Sequence, residues 1–92
     1  MKANFKKLAV EASFDTFVEV DVTKELGNYI HAHTTDIGLD DTARAIYHSD
    51  GEIEISPEHA TLICSLINSR DCMLFAFVKK AIIKTLTENG SN

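Results

Sequence analysis

Residues 23–49 read TKELGNYIHAHTTDIGLDDTARAIYHS, and the way this stretch divides decides the fold. Taken as a helix, its first half places Leu26, Tyr29, Ile30, His33 and Ile37 on one face, the i, i+3, i+4, i+7 spacing of a half-buried helix. Thr23 is the expected N-cap, because a threonine hydroxyl can accept from a free N–H of the first turn. The second half places Leu39, Ala43, Ile46 and Tyr47 on one face. At about 100° per residue this second stripe is rotated well away from the first. Gly38 stands where the phase changes and is the expected helix stop, with Asp40 as the cap of a new helix. Two helices broken near Asp36–Gly38 are therefore expected in preference to one long helix with two buried sides.

Strand patterns flank this stretch. Upstream, residues 5–12 (FKKLAVEA) alternate, with Leu8, Val10 and Ala12 on one side. Residues 16–22 (TFVEVDV) alternate more cleanly, with Val18, Val20 and Val22 opposite Phe17, Glu19 and Asp21. Period-two alternation rich in β-branched residues marks strands. The short Ser13-Phe14-Asp15 link makes them a hairpin whose valine face needs cover. The first few residues read as a loose end. Downstream, Ser49-Asp50-Gly51 is a turn cluster, and GEIEIS follows. Ile53 and Ile55 share one face and Glu52 and Glu54 the other, giving a short third strand that can extend the hairpin sheet.

Two helices complete the chain. Ser56 is a good N-cap and Pro57 fits the first helical position, where no N–H is needed. This helix runs to about Ser69, with Ala60, Leu62, Ile63, Leu66 and Ile67 on its apolar arc and Cys64 at the edge. Asp71 is the expected cap of the last helix, from Cys72 to about Glu88, with Asn89-Gly90 as its end. Leu74, Phe77, Val78, Ala81, Ile82 and Thr85 form its main stripe. Phe75, Ile83 and Leu86 widen that stripe beyond the usual arc of about 100°. Lys79, Lys80, Lys84 and Glu88 are the polar remainder.

The expected fold class is thus α+β: an N-terminal hairpin and a short third strand packed against about four helical segments, in a single domain over residues 1–92. Length, 92 residues, allows one domain, and 45% apolar with 25% charged residues is the composition of a folded chain. A formal net charge of −5 disfavours a generic binder of nucleic acid or anionic membrane. No run of 18 apolar residues marks a membrane span, and MKANFKKLAVEASFD lacks the apolar core of a signal peptide. Cys64 and Cys72 form no CxxC and read as reduced thiols. A cytoplasmic protein is expected.

Each candidate chemistry weakens on inspection. His31-Ala32-His33 is an HxH, but on a helix residues i and i+2 diverge by about 200° and cannot readily share a metal. That leaves His33 and Asp36 as the close pair, fewer ligands than a zinc site needs. By helical phase His33 falls mid-stripe and His59 within the apolar arc of its helix, so both are expected to be buried, with their N–H groups satisfied, and His31 exposed. Cys72 gains a helix N-terminus but no base, and inert cysteines are expected. Asp40-Asp41 fits a helix start, and Glu52 with Glu54 fits a wet strand face; neither has the split environment that acid–base catalysis needs. There is no glycine-rich phosphate loop and no Ser-His-Asp signature. No catalytic residue, cofactor or metal site is assigned. The last two helices have a helix-turn-helix outline, but the second offers Phe and Ile where base readout calls for Arg, Asn or Gln.

The strings Lys24-Glu25-Leu26-Gly27-Asn28, Ala43-Arg44-Ala45-Ile46-Tyr47-His48-Ser49-Asp50-Gly51 and Glu52-Ile53-Glu54-Ile55-Ser56 resemble small proteins of bacterial prophage and mobile-element regions. The resemblance covers Val20 to Leu86. It implies a phage-linked assembly or accessory role and carries over no functional residue. Together these readings point to a non-enzymatic protein–protein interaction module that self-associates. The interface candidates are Phe75, Ile83 and Leu86, forming a homodimer. The alternative is nucleic-acid binding through Lys79, Lys80 and Lys84.

Overall fold

The computed structural model describes residues 2–70 and 72–90, the last three by their backbone alone. The elements run β1 (Lys2–Asn4), β2 (Leu8–Ser13), β3 (Thr16–Val20), α1 (Thr23–His33), α2 (Ile37–Tyr47), β4 (Glu52–Glu54), α3 (Pro57–Ile67) and α4 (Ala76–Gly90). The class is mixed α+β, as the patterning implies, with two small antiparallel sheets rather than one.

The hairpin β2–β3 pairs Leu8 with Val20 and Val10 with Val18, with a register irregularity between Glu11 and Ser13. Asp15, in its turn, has φ 63°, a left-handed conformation that Asp tolerates better than most residues. The Asp15 N–H donates to the Glu11 carboxylate at 2.8 Å. The valine face is covered only in part: Val10 is fully buried and Val20 half-buried, while Val18 is 43% exposed. Helix α4 packs on β2 and leaves the middle of β3 to solvent.

β4 does not extend the hairpin. It pairs with β1, joining Lys2 to Glu54, Ala3 to Ile53 and Asn4 to Glu52. The expected loose end is therefore a strand. Its anchor is apolar: Ala3 and Phe5 lie within the core, and the Phe5 carbonyl accepts from the Val22 N–H at 2.9 Å.

The central stretch divides as its phase change demands, slightly earlier than expected. Residues 34–36 separate the helices, and Asp36 rather than Asp40 caps α2, accepting from the Gly38 and Leu39 N–H groups. Gly38 lies in the first turn of α2 and stops nothing. Thr23 is not a cap either. It is the first residue of α1, 2% exposed, and its own N–H and hydroxyl both donate to Asp21. That pair of bonds holds the Asp21 carboxyl below its ordinary value of 3.8, the hydroxyl bond contributing most.

Ser56 caps α3 as expected, accepting from the His59 N–H at 3.2 Å, with Pro57 in the first turn. The expected cap Asp71 falls outside the described residues. Helix α4 begins at Ala76, four residues later than its stripe suggested, so Cys72, Leu74 and Phe75 precede it. The core collects Phe5, Leu8, Val10, Leu26, Ile30, Leu39, Ile46, Ile55, Ile63, Ile67, Ile82 and Leu86, drawing on the N-terminal strands, the segment after β4 and all four helices. The Tyr29 hydroxyl donates to the Leu66 carbonyl at 2.8 Å and ties α1 to α3.

Candidate functional site

Two concavities stand out. The larger, about 720 Å³, runs between the hairpin and α4. Ala9, Glu11, Phe14 and Phe17 of the hairpin form one wall, and Phe77, Lys80 and Lys84 line the other. Most of this surface is apolar. Phe14 at the hairpin tip is 94% exposed and Phe17 62% exposed, so two large rings project beside the groove without cover. Phe75, 72% exposed, stacks on Phe77 with ring centroids 5.6 Å apart and carries the aromatic surface past the end of α4. Met73, also exposed, lies two residues before Phe75.

The three expected interface residues separate here. Phe75 is exposed, as an interface requires. Ile83 is only partly exposed and packs against the core. Leu86 is 2% exposed and is a core residue, because the buried line of α4 runs through Ile82 and Leu86. Starting the helix at Ala76 takes Leu74 and Phe75 off the helical wheel, and that removes the wide stripe. The sequence marks Phe14 only as part of the hairpin link and Phe17 only as the residue opposite valines expected to face the core, so neither stands out there as an interface residue. The lysines separate as well: Lys80 and Lys84, four residues apart, share the groove, while Lys79 does not line it.

The smaller concavity, about 190 Å³, lies between α1 and α2. Its walls include Asn28 and His31 of α1, Asp40 and Arg44 of α2, and His48 just after α2. His31 Nδ1 lies 2.5 Å from Asp40 Oδ1. His31 is exposed, as expected, but His33 and His59 are not buried. Because α1 ends at His33, that ring stacks on Tyr29, centroids 4.2 Å apart, and its Nδ1 meets the Tyr29 carbonyl at 2.9 Å. His59 is half-buried, with its Nδ1 2.8 Å from the Thr42 hydroxyl.

Among the described residues no group of three or more His, Cys, Asp or Glu side chains is placed to hold a metal ion. His33 and Asp36 face separate tasks, the ring on the Tyr29 carbonyl and the carboxylate on the start of α2. Burial pushes the Cys64 thiol up, away from the thiolate a nucleophile needs, and Cys72 is 5% exposed and outside any helix. Among the described residues no helix is long and apolar enough to cross a membrane. No protein-family model, curated protein or solved structure matches the chain.

Proposed function

We propose that the protein is a non-catalytic protein–protein interaction module that forms a homodimer through the groove between its hairpin and α4. The observation that carries this is the aromatic surface there: Phe14, Phe17 and Phe75 are each more than 60% exposed. Contiguous apolar surface of this kind marks an interaction site, and aromatic residues dominate interface energies. A second copy suits the groove for two reasons. The surface carries a protruding ring, Phe14, beside a concave apolar wall, so a two-fold axis can seat each ring in the other copy's groove. The walls also differ in sign, Glu11 on the hairpin and Lys80 with Lys84 on α4. Laying one copy's hairpin across the other's α4 brings opposite charges together. The resemblance of residues 24–28 and 43–56 to prophage-region proteins fits an assembly or accessory role inside a bacterial cell.

Sedimentation velocity and light scattering on wild type and on Phe14→Glu with Phe75→Glu test the proposal. We expect a wild-type dimer and a folded monomeric variant, with circular dichroism unchanged because both rings lie outside the core. Ile83→Lys is unsuited to this purpose, since Ile83 packs against the core. A wild type that stays monomeric at high concentration, or a variant that remains dimeric, overturns it.

The second reading is single-stranded nucleic-acid binding, favoured by the placement of Lys80 and Lys84 in one groove with Phe14, Phe17 and Phe77. Bases stack on such rings while lysines neutralise phosphates. With two phosphates neutralised, the logarithm of affinity for a labelled single strand falls with the logarithm of salt at a slope of about −1.4. A monomeric protein that binds with that slope puts this reading first.

A further inference from the structure

The cleft between α1 and α2 has a construction of its own. The helices run antiparallel, with His31 meeting Asp40 near one end and Gly27 meeting Ala43 and Tyr47 further along. A Cβ on Gly27 would lie 2.9 Å from the Ala43 carbonyl oxygen and 2.9 Å from the Tyr47 Cβ, so only glycine permits this close approach. The approach brings Asn28 and His31 of α1 opposite Asp40 and Arg44 of α2.

An aspartate four residues before an arginine on a helix ordinarily pairs with it. Here Asp40, among the described residues the only carboxylate lining the cleft, is taken up by His31. Arg44 makes no ion pair with any described residue. A second fixed positive charge stands close by, the Lys24 ammonium 4.3 Å from the centre of the Tyr47 ring. Glu25 and Asp41 lie one step round their helices and do not line the cleft. Asn28, His31 and His48 add polar side chains to the same walls.

We propose that this cleft binds a small oxyanion, a phosphate or carboxylate group. The Arg44 guanidinium is the principal contact, and Asn28, His31 and His48 are its hydrogen-bonding partners. Arginine suits the task because its planar fork of donors matches both groups. Size limits the ligand. About 190 Å³ falls below the roughly 300–1,000 Å³ of sites that enclose larger ligands, and it suits a single phosphate or a short acid.

The test is an amide-resolved NMR titration of the full chain with sodium phosphate and, separately, with sodium acetate, each against sodium chloride at matched ionic strength. We expect saturable shifts confined to Asn28, His31, Arg44 and His48. Arg44→Gln, an exposed substitution, weakens binding about tenfold or more, the effect of removing a charged hydrogen-bonding group. Saturation by phosphate alone assigns a phosphate ligand, by acetate alone a carboxylate, and by both the shared chemistry. Shifts that never saturate, shifts centred on Lys80 and Lys84, or an Arg44→Gln variant that binds like wild type overturn the proposal. A Lys80→Gln, Lys84→Gln variant, which leaves the cleft intact, should bind as wild type does.

Discussion

Ser56 satisfies an N–H that helix geometry would otherwise leave without an intrahelical partner, that of His59. Ser56→Ala should therefore cost about 0.5–2 kcal/mol. On a domain of this size that lowers the melting temperature by several degrees, at about 4–8 °C per kcal/mol, and a thermal melt followed by circular dichroism reads it directly. Asp21 organises the start of α1 differently, accepting two bonds from Thr23. Its folded carboxyl is held below the ordinary value of 3.8, so the folded state favours the ionised form. The stabilisation is present in full above the unfolded value and is lost as pH falls through the folded one. Asp21→Ala should accordingly melt below wild type at neutral pH, with the gap closing as pH drops beneath the carboxylate range. A gap that stays constant from neutral to strongly acid pH would remove Asp21 from this role.

Among the elements, the α1–α2 pair is the most constrained by a single position. Gly27→Ala places a methyl group against the backbone of Ala43 and the Cβ of Tyr47, neither of which can swing aside as a flexible side chain would. The helices must separate, at a cost of roughly 1–3 kcal/mol for overpacking, and denaturant unfolding measures it. Much at this scale was legible in the sequence. The hairpin, the division of residues 23–49, β4 and the Ser56-Pro57 start of α3 follow from alternation, helical phase and capping chemistry. What escaped has physical reasons. β1 is three residues long with one buried side chain, Ala3, too little for alternation to register. Its pairing with β4 depends on residues far apart in sequence, and this also turned the expected three-stranded sheet into two. His33 fits an apolar stripe only while the helix continues, and α1 ends there. The α1–α2 cleft is hard to read from sequence because each of its polar residues, Asn28, His31, Asp40, Arg44 and His48, has an ordinary surface role alone, and Phe14 of the groove sits in a turn, where no alternation marks it.

For the whole molecule, the proposed homodimer would link stability to concentration, since dissociation must accompany unfolding. The wild-type melting temperature should rise with protein concentration, and that of the Phe14→Glu, Phe75→Glu variant should not. The exposed Lys6–Asp50 ion pair, 3.6 Å long, contributes little by comparison. The β1–β4 pairing bears on how the chain comes to be made. Asn4 waits for Glu52, about 50 residues further on. Closing that span costs roughly 2 kcal/mol more in chain entropy than closing a hairpin turn, since each doubling adds about 0.6 kcal/mol. During synthesis at about 5–20 residues per second, β1 leaves the ribosome several seconds before its partner does. Ala3 and Phe5, fully enclosed in the finished protein, spend that interval in water. The first strand of this fold thus has to hold its core side chains in reserve until the chain has been made as far as β4.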